Sequence, residues 1–258
     1  MERITASSAT IAACLDRYDG LHILMFASPD IDAAAARRSA AGIGHGAVNS
    51  VQRPVRTGGE TLIETVRYLE IDSADPDAPR GAVAEGRVGV VANIDPRFQN
   101  TRRLEHPNGA FDLVEVVVCA AAADLAAVRA RYESYLGYPA HAEGATQVFD
   151  LDDARLVLVP DSVLAERLPG ERAPALPSLV ACAVAVRDIE ATRELLQNNG
   201  FHLGITDSGD PFVPADAALG AAIFFHQGEP DQRTAPGLGC RPALCRHRPG
   251  TRKSPCRS

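Results

Sequence analysis

The sequence contains no tryptophan, and only 5% of its 258 residues are aromatic. This scarcity disfavours a platform on which a large planar ligand would stack, although eight Phe and five Tyr do not exclude one. The longest apolar candidate, LVEVVVCAAAADLAAV, is interrupted by Glu115 and Asp124. We therefore expect no transmembrane helix, and the polar TASSAT segment near the amino terminus leaves no hydrophobic region for a signal peptide.

Several catalytic signatures are also missing. The sequence has no G-x-S-x-G, no P-loop and no G-x-G-x-x-G that opens a helix, and GIGHG at residues 42–46 follows a predicted helix and reads as a loop. No two carboxylates stand out as an acid and base pair. The sequence therefore gives no indication of a serine hydrolase, a P-loop nucleotide-binding protein or a dinucleotide-binding enzyme.

The charge distribution and the cysteines indicate the binding partners and the cellular compartment to expect. The formal charge of -7 is uneven, because residues 233–258 hold seven Arg or Lys and no acid, which leaves about -14 on residues 1–232. An acidic body argues against a nucleic-acid surface. Cys14, Cys119 and Cys182 stand singly among apolar residues, as buried free thiols do. We expect a cytoplasmic protein with no nucleic-acid or membrane partner.

One pattern occurs three times. An apolar β-type run leads through an acidic residue into an amphipathic helix that ends at Gly42, Gly137 or Gly200, and strand-like segments follow each helix. The repeated unit is β-α-β-β-β, with starts near residues 20, 113 and 178. The repeat predicts an α+β fold built from three such modules.

The same pattern sets the predicted domains. Residues 1–19 are expected to be a connector left from a missing module, 20–97 a single module, 98–111 a linker containing HPNG, and 112–227 a domain of two modules. Residues 228–258 predict a disordered basic tail. Its Cys and His spacing, C-x4-C-x-H-x8-C, matches none of the usual closed zinc sites. Two further possibilities are that the chain lacks an amino-terminal module and that the tail is translated in a shifted reading frame.

Three segments resemble bacterial glyoxalase-like domain proteins of the vicinal oxygen chelate superfamily, which includes glyoxalases, bleomycin resistance proteins and extradiol dioxygenases. They are GLHILMFASPDIDAAAARRSAAGI, the linker HPNGA, and LVEVVVCAAAADLAAVRARYESYLG. The resemblance implies a small-molecule cavity and a metal-dependent lyase, isomerase or dioxygenase. The implied cofactor is a divalent ion (Fe, Mn, Ni, Co or Zn) held by a His or Glu on a first strand and a Glu on a last strand. A non-catalytic binding or sequestration protein without metal, and a truncated product, are the alternatives.

Four residues are candidate metal ligands under this resemblance. Glu115 lies in an apolar β run, where a carboxylate is costly to bury without a partner. His226 lies on a last strand, two residues beyond Phe224, which stands where the resemblance implies a Glu. Glu70 is an alternative if its strand, rather than RVGVVANI, completes the first module. Glu115 and His226 together fall short of the three protein ligands usual for a catalytic site.

His22, the fourth candidate, lies on the first strand of the first module. It is one residue further from the helix-opening Asp30 than the ligand in the resembled proteins, and a slip of one residue turns a strand side chain to the opposite face. Either a bulge corrects the direction or Ile23 takes the cavity position. Because three modules leave the first one without a partner, a homodimer that covers it is also expected.

Overall fold

The computed structural model describes residues 9–57, 60–75, 77–78, 80–93, 106–152 and 154–228. The predicted tail beyond Gly228 and most of the predicted linker lie outside these residues. The helices are α1 (Ala9–Leu15), α2 (Ile31–Ala40), α3 (Leu125–Leu136), α4 (Asp161–Arg167) and α5 (Ile189–Asn198). Helix α1 lies within the predicted connector.

The strands form two sheets. Those of the first sheet are β1 (Ile23–Ser28), β2 (Asn49–Thr57), β3 (Glu60–Glu70) and β4 (Arg87–Ala92). Those of the second are β5 (Ala110–Ala120), β6 (His141–Glu143), β7 (Thr146–Asp150), β8 (Arg155–Pro160), β9 (Ser178–Val186), β10 (Gly204–Ile205), β11 (Pro211–Val213) and β12 (Ala222–Gln227).

The same strand order occurs three times. The first sheet has the order β1-β4-β3-β2, with β1 and β4 parallel. The eight-stranded sheet has the order β10-β11-β12-β9-β5-β8-β7-β6, so each half repeats the first-fourth-third-second order of the first sheet. The halves join through their first strands, β5 and β9, which pair antiparallel. The predicted α+β fold is confirmed.

The helix ends follow local sequence signals. Asp30 caps α2 because its side chain accepts a hydrogen bond from the Ala33 N–H at 2.9 Å, and Asp188 caps α5 in the same way. Asp124 precedes α3 but makes no capping bond with its side chain. Helix α3 ends at Gly137, whose φ of 86° is the left-handed conformation that glycine adopts at low cost.

The two sheets share a hydrophobic core around α3. Leu24 and Phe26 of β1 and Leu69 of β3 belong to the same buried cluster as Tyr132 and Tyr135 of α3. A polar contact reinforces this junction, since the buried Arg38 of α2 donates to the Tyr135 carbonyl at 2.6 Å. No helix in the described part of the chain is both long and apolar enough to cross a membrane.

Candidate functional site

Different helices pack on the two faces of the eight-stranded sheet. Val118 and Ala120 of β5 pack in the core that contains α3, whereas Val117 and Cys119 pack in a second cluster with Leu164 of α4. We call the latter side the α4 face. Because strand side chains alternate between faces, Glu115 of β5 shares the α4 face with Val117 and Cys119.

Helix α4 and the residue after it fill the centre of the α4 face. Leu164 and Leu168 are both buried in a cluster with side chains from six strands of the sheet. Those partners include Val157, Ala181, Phe212 and Phe224. The space over the middle of the sheet is therefore occupied by the chain itself, and any ligand must bind nearer the rim.

Glu115 is the most deeply buried charged group on this face, with 3% exposure. Its carboxylate accepts a close charge-assisted hydrogen bond from Arg167 Nη2, and Arg155 Nη1 lies 4.0 Å from its other oxygen. Burial raises the pKa of Glu115, and Arg167, Arg155 and His226 lower it in part. Arg167 thus supplies the positive charge that a buried carboxylate needs.

His226 lies on the same face at the rim. Its Nδ1 is 2.6 Å from the Asp210 carboxylate, which also accepts a hydrogen bond from the Ser208 hydroxyl at 3.1 Å. The imidazole packs edge-on against the Phe224 ring, with 5.3 Å between the ring centroids. The structure therefore places Glu115 and His226 on the same face of the sheet.

The other two predicted ligands lie elsewhere. His22 is buried on the side of β1 that carries Leu24 and Phe26, with its Nε2 2.9 Å from the Tyr18 carbonyl oxygen, while Ile23 takes the opposite, exposed face. Of the two alternatives for this strand, the structure has the one without a bulge, and the metal-ligand role of His22 stays a prediction. Glu70 is ion-paired with Arg87, and β4 rather than its own strand lies next to β1.

The residues of the α4 face do not fit a divalent cation as they are placed. Glu115 already carries Arg167, a second guanidinium lies beside it, and His226 has one ring nitrogen committed to Asp210. Within the described ranges, no three His, Cys, Asp or Glu residues are grouped to hold a metal ion. A metal bound at Glu115 would have to displace Arg167 and overcome its repulsion.

A cleft of about 270 Å³ opens beside Arg167. It lies between α4, the β6–β7 turn and the β10–β11 turn. Its lining is formed by Glu143, Ala145, Thr146, Val163, Glu166, Arg167 and Asp207. Acidic side chains outnumber basic ones there, and Glu143 is itself ion-paired with Arg155 and lies 3.1 Å from His141.

The sequence reasoning missed both arginines of this site. Arg155 opens β8 directly opposite Glu115 in the parallel ladder, so the pairing of these two strands would have found it. Arg167 lies in RLPGERAPALP, a segment that reads as a connector, and its partner is 52 residues away in the chain. No local spacing signals a contact of that range.

Residues 2–136 match a family model described as glyoxalase-like domain. No curated protein sequence matches the chain significantly.

Among solved structures, a mutant of 4-hydroxymandelate synthase from Streptomyces coelicolor is 14% identical, with a TM-score of 0.49 over 83% of this chain and 72% of that one. A hypothetical protein from Staphylococcus aureus is 10% identical, with a TM-score of 0.46 over 78% of this chain; the match spans 64% of that protein. Methylmalonyl-CoA epimerase from Mycobacterium tuberculosis is 17% identical, with a TM-score of 0.36 over 50% of this chain and 95% of that one.

Proposed function

Because the chain belongs to the glyoxalase-like domain family of the vicinal oxygen chelate superfamily, we propose that it is a small-molecule-binding protein that contacts its ligand through Arg167 instead of a divalent metal. The observation that carries the proposal is the position of the Arg167 guanidinium, which pairs with buried Glu115 and also lines the cleft.

Arg167 is held in place and still has donors to spare. A guanidinium has five N–H donors, and the bond from Nη2 to Glu115 uses one of them. Its side chain is 23% exposed, at the edge of the cleft. Glu115 and the stacked Phe224 ring, whose centroid is 5.8 Å from the guanidinium carbon, fix its orientation. A ligand oxygen therefore meets a preorganised cation, which lowers the entropy lost on binding.

The remaining lining indicates the ligand class. Glu166 and Asp207 accept hydrogen bonds or pair with a cation, while Ala145 and Val163 provide a small apolar surface. A cleft of about 270 Å³ is smaller than those that hold drug-sized ligands. The ligand that fits is a small metabolite with a carbonyl or carboxylate oxygen for Arg167 and a hydroxyl or ammonium group for the acids.

A metal-dependent lyase, isomerase or dioxygenase is the rival function that the family suggests. It needs Glu115 and His226 to bind Fe, Mn, Ni, Co or Zn, and so requires Arg167 to leave Glu115. The two functions predict opposite effects of chelation, because a guanidinium site is unaffected by EDTA and a metal site is emptied by it.

Thermal unfolding of the full chain with a panel of small hydroxy acids, keto acids and amino acids tests the proposal. A ligand present at 100 times its Kd stabilises a protein by about 2.7 kcal/mol, or roughly 5–10 °C for a chain of this size. We expect such a shift for at least one compound in EDTA. Arg167→Met should abolish it, whereas Arg193→Met on the distant helix α5 should leave it unchanged.

Two results would overturn the proposal. One is a stabilising shift that appears only when a divalent metal is added, together with near-stoichiometric metal in the purified protein. The other is a ligand shift that survives Arg167→Met undiminished, which would place the binding site elsewhere.

A further inference from the structure

The four sheet edges of this protein are not equally protected. Exposed edge strands normally carry charge, proline or irregularity, or are very short, since an unprotected edge pairs with other chains. Strand β2 carries Arg53, Pro54 and Arg56, β6 is three residues long and includes His141 and Glu143, and β10 has two residues. Each of these three edges is therefore protected.

Strand β1 is the exception. Its six residues, ILMFAS, contain no charge and no proline, and within the described part of the chain it has a strand partner, β4, on one side only. Leu21, just before the strand, makes a single bridge to Leu179 of β9. Ile23 exposes 52% of its surface. An uncharged apolar strand is left at an open edge.

The hydrogen-bonding groups of this edge can be assigned. The carbonyl oxygens of His22 and Ser28 accept from Arg87 and Asn93, so even-numbered residues of this strand bond towards β4. Because a strand alternates its bonding direction, the N–H and C=O groups of Ile23, Met25 and Ala27 point away from β4. No described residue bonds to these three donors and three acceptors, which are available for another strand.

The molecule itself contains an example of the pairing that fits such an edge. β5 and β9 are the first strands of the second and third modules, as β1 is of the first, and they pair antiparallel to make one continuous sheet. Antiparallel pairing of identical strands about a twofold axis is self-complementary. A second copy of β1 brings no like charges together, since the strand has none.

We propose that β1 is a dimerisation edge, at which two copies of the chain pair their β1 strands antiparallel and join their four-stranded sheets into one sheet of eight. This inference is independent of the ligand site beside Arg167, which lies on the other sheet. The partner is a second copy because the edge is uncharged, has backbone groups to which no described residue bonds, and belongs to a module whose two homologous copies are already paired.

Sedimentation equilibrium of the full chain tests the proposal. We expect the wild type to have about twice the 27.3 kDa mass of one chain. Ile23→Lys places two like charges at the interface and should weaken the dimer by about 100-fold or more. Ile63→Lys is the matched control, since Ile63 is similarly exposed, at 57%, but lies on β3 of the hairpin with β2, away from β1. Ala27→Pro removes one free-edge N–H without touching the bonds to β4 and should also weaken the dimer.

Circular dichroism separates loss of pairing from loss of folding, because all three variants should keep the wild-type spectrum. A wild type that stays monomeric at 100 μM or above overturns the proposal, whatever else occupies the edge. So does a dimer that neither Ile23→Lys nor Ala27→Pro weakens relative to Ile63→Lys.

Discussion

The contact between Glu85 and Tyr132 is a buried polar link between the first module and the second, and its removal should give a measurable loss of stability. Glu85 lies in the loop before β4 and has no exposed surface. One carboxylate oxygen accepts from the Tyr132 hydroxyl at 2.5 Å and the other from Arg131 Nη2 at 2.5 Å. Burial and the Glu85 charge raise the pKa of Tyr132 well above its usual value, so the hydroxyl remains a donor at neutral pH.

Tyr132→Phe removes that donor and leaves a buried carboxylate oxygen short of a partner. Hydrogen bonds to charged groups contribute about 1.5–3 kcal/mol each, and we expect a loss of that size. Glu85→Gln should cost less, because Arg131 is 27% exposed and water compensates it in part. The double variant should cost less than the sum of the single ones by about 1 kcal/mol, since Glu85→Gln already weakens the charge-assisted hydrogen bond that Tyr132→Phe removes.

Urea unfolding of the full chain at pH 7.5 measures these free energies. Tyr135→Phe is the control: Tyr135 lies one turn further along α3 and is also buried, but its hydroxyl makes no hydrogen bond within the described part of the chain. That variant should change the free energy of unfolding by less than about 0.5 kcal/mol. The reasoning is refuted if Tyr132→Phe costs no more than Tyr135→Phe, or if the two single-variant losses simply add.

Three further predictions concern a cap, a glycine and a titration. Asp30→Ala should lower the free energy of unfolding by about 1 kcal/mol and Asp124→Ala by less than half as much, because only Asp30 caps its helix through the side chain; thermal unfolding compares them. Gly89→Ala should destabilise by about 2 kcal/mol or more, since its Cβ would collide with a backbone oxygen of β3, whereas Gly46→Ala, with nothing closer than 4.0 Å, should have little effect; equal losses would contradict this. The raised pKa of Glu115 means that the folded state binds the Glu115 proton more tightly than the unfolded chain does. Protonation of Glu115 therefore adds to the free energy of unfolding below its ordinary pKa, and this stabilisation is lost as the pH rises through the raised pKa. Urea unfolding should therefore show the wild type gaining stability relative to Glu115→Gln as the pH falls from 7.5 to 5, and a relative loss would oppose it.

The fold was predictable because its signals are local. Apolar alternation marks the first strand of each module, an acid opens each helix, and a glycine or a polar turn ends it. The predicted starts near residues 20, 113 and 178 fall close to the first residues of β1, β5 and β9. The helix α4 was not predicted, because its two buried leucines lie in a short segment next to proline and glycine, where no periodicity can develop.

The alternation of side chains along a strand explains where the candidate site residues lie. Glu115 is buried on the α4 face and His226 is at its rim, in the same region, because both follow from the alternation of side chains on well-formed strands. The same rule places His22 on the packed side of β1 and leaves Ile23 exposed. The count of residues from Asp30 allowed this outcome, and a bulge in β1 was the alternative that the sequence left open. The metal-ligand role of Glu115 and His226 stays a prediction.

The choice between a metal and a guanidinium lies beyond sequence reasoning for a physical reason. A carboxylate inside an apolar strand indicates only that some positive charge must compensate it. A divalent ion and an arginine both meet that need, and the sequence alone does not distinguish them. Which one does so depends on a contact across 52 residues, set by where α4 packs over the sheet. Once Leu164 and Leu168 are buried on the α4 face, Arg167 is carried to Glu115 with them. The hydrophobic packing of α4 therefore sets which positive charge lies beside Glu115 in this structure.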